Sequence, residues 1–377
     1  MIHLRGITWD HPRGYAPLEA SVEEYETVQN IRIEWVRRTL KDFGDADLRH
    51  LSNDYDLLII DHPHIGVAAD SNALRPFDQL LGADELSKFA ADSSGPSYAS
   101  YQYLSKQWAI PIDAACQVAV FRPDLVDEYE LPTSWPNLAR FASNLKARGL
   151  YLCTPLCPTD AMCCFLTLCA QNGYSSLANR PNEKQSEVLI AALGALQMLR
   201  DHGHPQSTEW NPIQLLEAMS RGEDIAYCPL AFGYSNYSRI GYRPKQLQFH
   251  GIPGQDNALL GGAGIAISSQ CKFPREAAAY ACHVAGQAYQ KSNYTVSGGQ
   301  PASRTAWEDK EADMHAGGFF SQTYPTLQKA YTRPRNKSWP AFQESLGVHL
   351  HTFLINNNSI EDTIVSISDL ISLYHSK

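Results

Sequence analysis

The chain has 377 residues, about two to three times a usual domain length, so two lobes are the default expectation. Hydrophobic residues make up 44%, charged ones only 19%, and 31 basic against 40 acidic residues leave a net charge of −9. That balance argues against a nucleic-acid binder, which needs a basic face to displace counterions. Nor does any run approach the ~20 apolar residues of a membrane-spanning helix.

Met1 to Trp9 reads as a first strand, and it lacks the basic region, apolar core and cleavage site of a secretory leader. With no export signal in the chain as given, the expectation is a cytoplasmic protein, or a periplasmic one whose leader was removed. Pro17 to Gln29 reads as a helix with Pro17 in its first turn, and Ile31 to Val36 as a second strand. Tyr55 to Asp61 is nearly all apolar and stops on an acid, the pattern of a parallel strand buried on both faces. Such β-α-β alternation argues for an α/β fold with ligands at the carboxyl ends of strands. Further on, Thr133 and Ser134 precede a helix, Glu183 to Arg200 carries one apolar stripe, and Asn211-Pro212 opens another helix that stops at Gly222. Ser359-x-x-Asp362 resembles a capping box ahead of the last helix. Trp108 to Asp113 and Gly261 to Ser268 look like two crossings between lobes.

Four clusters could carry chemistry. Trp9-Asp10-His11-Pro12-Arg13-Gly14-Tyr15 packs an indole, a carboxylate, an imidazole, a guanidinium and a phenol into one turn. Asp61-His62-Pro63-His64 ends a strand; it suits hydrogen bonding to an organic ligand better than a metal, which needs further ligands. Ile225 to Tyr237 runs from a strand into a loop with Tyr227, Tyr234 and Tyr237, groups that stack and hydrogen-bond. Tyr294 to Pro301 holds a Gly pair, and Gln300 could orient a ligand. Arg13 mildly favours an anion. Nine cysteines, an odd number, cannot all pair internally. Cys163 and Cys164 read as core; Cys116 and Cys228 are better placed to react, though neither has an assignable base. No nucleotide or other cofactor motif is present, and neither a catalytic residue nor a metal ligand is assigned.

Several blocks occur in an order that resembles the ABC-transporter substrate-binding proteins of the extracellular solute-binding family, sugar-binding type. They are Trp108 to Asp113, Val118 to Leu125, Pro132 to Trp135, Gly264 to Ser268 with the helix from Pro274, and Tyr294 to Pro301. The resemblance implies a type II periplasmic-binding-protein-like α/β fold: two lobes, each a mostly parallel sheet flanked by helices, joined by hinge crossings. Lobe 1 would be 1–110 plus 264–310; lobe 2 would be 111–263 plus part of 311–377, with the C-terminal helices on either lobe. It further implies a monomer that traps a sugar, polyol or organic acid in the interlobe cleft and delivers it to an ABC permease. Trp9, Asp10, His11, Arg13 and Tyr15, joined by Asp61 and His62, would face the cleft from one lobe. Tyr227, Tyr234 and Tyr237 would face it from the other, with Gln300 and Arg304 near the edge. Two alternatives stay open: a cytosolic binder or sensor, and a cysteine-nucleophile enzyme resembling thiaminase I.

Overall fold

The computed structural model describes residues 1–45, 47–175, 177, 181–254 and 256–375. Strand β1 (Ile2–Trp9) leads into helix α1 (Pro12–Gln29) and then into β2 (Ile31–Arg38), which pairs with β1 in parallel throughout. Helix α1 begins at Pro12, not at Pro17. His11 supplies the cap, and Pro17 removes only the bond its N–H would have given the Arg13 carbonyl. Burial of Leu18, Ser21 and Tyr25 holds the helix on the sheet despite that loss.

Strand β3 (Leu57–Ile60) follows, parallel to β1. Its side chains alternate between faces: Leu57 and Ile59 enter one core, Leu58 and Ile60 the other. Both faces are therefore covered, which accounts for the unbroken apolar run. Next come the twelve-residue β4 (Ile110–Phe121), buried along its whole length, and the short β5 (Tyr151–Leu152). Helices α2 (Pro158–Gln171), α3 (Glu183–Asp201) and α4 (Pro212–Arg221) surround the second half of the sheet. Asn182 with Gln185, and Asn211 with Gln214, form capping boxes, and α4 ends at Gly222 with φ 108°. Among the later elements are β6 (Ile225–Phe232), β7 (Gln248–His250), β8 (Leu260–Ser268), α5 (Pro274–Ala285), α6 (Trp339–Asn356) and α7 (Ile360–His375).

The sheet runs β2-β1-β3-β8-β4-β6-β5, with β7 antiparallel to β4. Strands β4 and β8, which overlap the two segments read as crossings, link the two halves of the sheet. The late part of β8, from Gly264, pairs with β3, and the late part of β4, from Gln117, pairs with β6. Between these halves only Asp113–Cys116 and Leu260–Ala263 face each other, a two-stranded ribbon that ends in a register shift at Ala263/Gly264. Single bridges flank it, Asp113 with Pro301 on one side and Leu259 with Tyr331 on the other. Helix α6 packs on α2, and α7 on α6 and α3, so the chain's C-terminal helices share the second core, as do Ala302 and Trp307.

Gly262 lies in this ribbon with φ 106°, and a Cβ there would stand 2.4 Å from the Asp113 carbonyl oxygen. Gly262→Ala is expected to cost about 1–3 kcal/mol through backbone strain, read as a lower urea midpoint at unchanged slope. An unchanged midpoint would show that the ribbon tolerates a side chain here.

Candidate functional site

Three segments bring polar side chains to the ribbon. At the end of β1 the chain turns into α1, with Thr8 Oγ1 donating to the Gly14 carbonyl at 2.9 Å. A Cβ on Gly14 would lie 2.4 Å from the Trp9 ring, so glycine is what lets the indole lie across the first turn of α1. Trp9 is buried, and its ring sits 5.0 Å from that of Phe43. Its indole N–H has no partner among the described residues.

Arg13 reaches from α1 to the ribbon. Its Nε donates to Asp113 Oδ2 at 2.7 Å and one terminal nitrogen to Asp113 Oδ1 at 2.5 Å. The other terminal nitrogen donates to the Gly233 carbonyl at 2.7 Å, just beyond β6. The guanidinium also lies 4.6 Å from the Tyr234 ring centre. Burial opposes its charge, but Asp113 outweighs burial and holds the Arg13 pKa above its ordinary value. Beside it, His11 Nδ1 accepts from the Arg13 backbone N–H at 3.1 Å, and its ring meets Tyr234 edge-on at 4.8 Å. Burial, then the neighbouring Arg13, lowers the His11 pKa to about 3, which suits an imidazole that must accept.

A second ion pair closes the opposite side. Asp61, at the end of β3, accepts from Arg333 at 2.6 Å and from the His62 backbone N–H at 2.8 Å. Burial would raise the Asp61 carboxyl, but Arg333 and His62 outweigh it and hold it below its ordinary value. Burial lowers the His62 pKa to about 4 against the pull of Asp61. The third acid is Asp160, in the first turn of α2 and 6% exposed. It accepts from the Cys157 thiol at 3.1 Å, and burial pushes its carboxyl up to about 7.

These groups surround a cleft. An inner cavity of about 130 Å³ is bounded by Trp9, Phe43, Tyr234, Asp160 and the two ion pairs, with Gly261 to Ala263 behind it. An outer chamber of about 400 Å³ shares Leu40, Gly44, Thr159 and Asp160 with it. The arrangement offers aromatic faces, one unpaired acid and unpartnered N–H donors to a small organic molecule.

Of the residues singled out from sequence, Trp9, Arg13, Asp61 and Tyr234 line the inner cavity. His11 and His62 are buried behind that wall. Tyr237 is buried too, its hydroxyl donating to Glu217 at 3.0 Å. Asp10 points outward with a 62% exposed side chain, and Tyr15 carries the Arg37 guanidinium 3.4 Å from its ring centre. Gln300 ties the ribbon to the loop after β6, donating to the Ala114 carbonyl at 2.8 Å and accepting from the Ser235 N–H at 3.0 Å. Arg304 borders a different hollow, with Glu85 and Asp92. Tyr227 needs correcting: it points away from the cleft into the second core, between Phe141 and His250, because the alternation of β6 turns it inward. The anion expectation attached to Arg13 is also corrected, since Asp113 already neutralises that charge.

Phe43, Asp113, Asp160 and Arg333 were missed. Asp113 left a usable signal, the one charged residue in the mostly apolar strand Ile110–Phe121; Arg333 left none, being brought to Asp61 by tertiary structure alone. All nine cysteines are free thiols. Cys116 and Cys228 are buried, and burial raises both thiols well away from the thiolate form. Among the described residues no helix is long and apolar enough to cross a membrane, and no group of three His, Cys, Asp or Glu could hold a metal.

Removing one partner of a buried ion pair leaves the other uncompensated. Arg13→Met is expected to destabilise the protein by about 3–5 kcal/mol, and Arg13→Met/Asp113→Leu by much less. Additive losses in denaturant titrations of this double-mutant cycle would contradict the pairing. The sign for Asp160 follows from its raised pKa. Between its ordinary 3.8 and about 7, the folded chain holds a proton that the unfolded chain has released. Its contribution is therefore full below that window and lost as pH rises through it. Asp160→Asn should raise Tm more at pH 8 than at pH 5, and least at pH 4 near the foot of the window; equal shifts at all three would contradict the burial account.

No curated protein sequence matches the chain. In structure it is similar to maltose-bound MalE3 of T. maritima, with a TM-score of 0.81 and 17% identity over 99% of this chain and 100% of that one. It is similar, too, to an ABC-transporter solute-binding protein of Agrobacterium radiobacter K84 in complex with ribitol (TM-score 0.80, 16% identity, 99% and 98% covered). A third likeness is the GacH receptor of Streptomyces glaucescens (TM-score 0.79, 16% identity, 100% and 98% covered). These likenesses give the fold, that of the two-lobed periplasmic binding proteins. The sequence model of the bacterial extracellular solute-binding proteins matches residues 20–318, most of the chain, and the chain belongs to that family.

Proposed function

We propose that the chain is the solute-binding component of an ABC-type importer, holding a small hydroxylated organic solute between its lobes and passing it to a membrane permease. The lobes would divide at the Asp113–Cys116 and Leu260–Ala263 ribbon, and closure about it would trap the solute. The observation that carries this reading is the inner cavity, where the Trp9 and Phe43 rings and the Asp160 carboxyl border one space beside the hinge. Rings of this kind cover the C–H faces of a sugar or polyol, while a carboxylate and free N–H groups take its hydroxyls. Solved structures of the same fold hold maltose, ribitol and tagatose, which supports the class without fixing the member. An organic acid fits less well, because both arginines at the cavity are already paired. No observation favours a cysteine enzyme or a sensor over this reading.

Calorimetric titration with saccharides, polyols and organic acids tests it. The expected result is 1:1 binding of at least one saccharide or polyol without turnover, weakened about tenfold or more by Trp9→Ala. Binding confined to organic acids, or full affinity in Trp9→Ala, would overturn it.

A further inference from the structure

The charges around the inner cavity do not balance. Two arginines and three aspartates border it: Arg13, Arg333, Asp61, Asp113 and Asp160. Arg13 is committed to Asp113, and Arg333 to Asp61. Asp160 remains, buried and without a cation among the described residues, accepting only a thiol hydrogen bond. Burial pushes its carboxyl up to about 7, which leaves it partly protonated at neutral pH, and a cation arriving beside it would favour the carboxylate. The outer chamber extends the imbalance, with Glu209 and Glu344 against Lys41. Two further groups lack partners: the Trp9 indole N–H and Arg333 Nε, both on nine-tenths-buried side chains that border the cavity. Aromatic rings stand beside the acid, and ring faces attract ammonium groups much as carboxylates do.

We propose that the solute carries a protonated amine as well as hydroxyls, with the ammonium paired to Asp160 beside the Trp9 and Phe43 rings. Hydroxyl oxygens then accept from Trp9 Nε1 and Arg333 Nε, the two donors left open. The amine deepens the hydroxylated-solute reading and rests on it. An amino sugar or amino polyol completes the cleft's charge and its hydrogen bonds together; a neutral sugar completes only the latter, and an acid adds a second unpaired negative charge.

Two trios of probes differing at one substituent separate these cases: sorbitol, D-glucamine and D-gluconate, and D-glucose, D-glucosamine and D-glucuronate. In calorimetric titrations at pH 7, the amine of at least one trio should bind about tenfold or more tighter than its neutral counterpart, with the acid weakest. Asp160→Asn should remove that advantage, bringing the amine to within about threefold of the neutral probe measured on the same variant. Should Asp160→Asn lack a cooperative melt, Glu209→Gln/Glu344→Gln reads the same effect, as a smaller loss of the amine advantage and a weaker salt dependence. Neutral probes binding as tightly as amines would overturn the amine and leave the hydroxylated-solute reading standing. An amine advantage that survives in these variants would do the same. Failure of every neutral and amine probe would remove both.

Discussion

The bidentate contact between Arg13 and Asp113 is the interaction on which the rest of the arrangement depends. One side chain joins the start of α1, the Asp113–Cys116 ribbon and the Gly233 carbonyl beyond β6. Burying such a pair is costly, and its favourable energy returns only when geometry and every remaining donor are satisfied. Here all three guanidinium nitrogens have acceptors, so the pair specifies one relation of helix, ribbon and loop. His11 and Tyr234 fill the space around it, and Gln300 ties the ribbon to the same loop. A lobe motion about the ribbon must either carry Arg13 with Asp113 or exchange the Gly233 contact.

That commitment also sets the chemistry of the cleft. A sequence with Arg13 beside Trp9 invites an anion; the folded chain withdraws that charge and does likewise with Arg333 through Asp61. What borders the cavity is then aromatic surface and Asp160, with the unpartnered Trp9 and Arg333 N–H groups in its wall. Depth matters as much as composition. Asp160 lies in the wall of a cavity of about 130 Å³, where burial counts against its charged form.

Much of the fold was legible because it rests on local pattern. The Asn211 cap and the stop at Gly222, the apolar stripe of α3 and the apolar strand before Asp61 followed from spacing and residue type alone. Ser359 and Asp362 pair as expected, the backbone N–H of Asp362 donating to Ser359 Oγ at 3.0 Å. The first loop was misread in part: three of its residues, His11, Arg13 and Tyr15, belong to a helix cap and first turn whose onset Pro17 disguised. The candidate site was less legible because it is built from distant segments. Tyr227 and Tyr234 sit seven positions apart in one aromatic stretch, yet strand alternation sends one into the core while the loop brings the other to the cleft. Asp160 reads in sequence as an ordinary first-turn acid of α2, and only the tertiary arrangement removes it from water.

A crystal structure with the tightest-binding sugar or polyol bound tests the central claim most directly. The account predicts solute density between the Trp9 and Phe43 rings and Asp160, with Arg13 still bound to Asp113. Density outside this cleft, or an Arg13 that has left Asp113 to hold the solute, would contradict it.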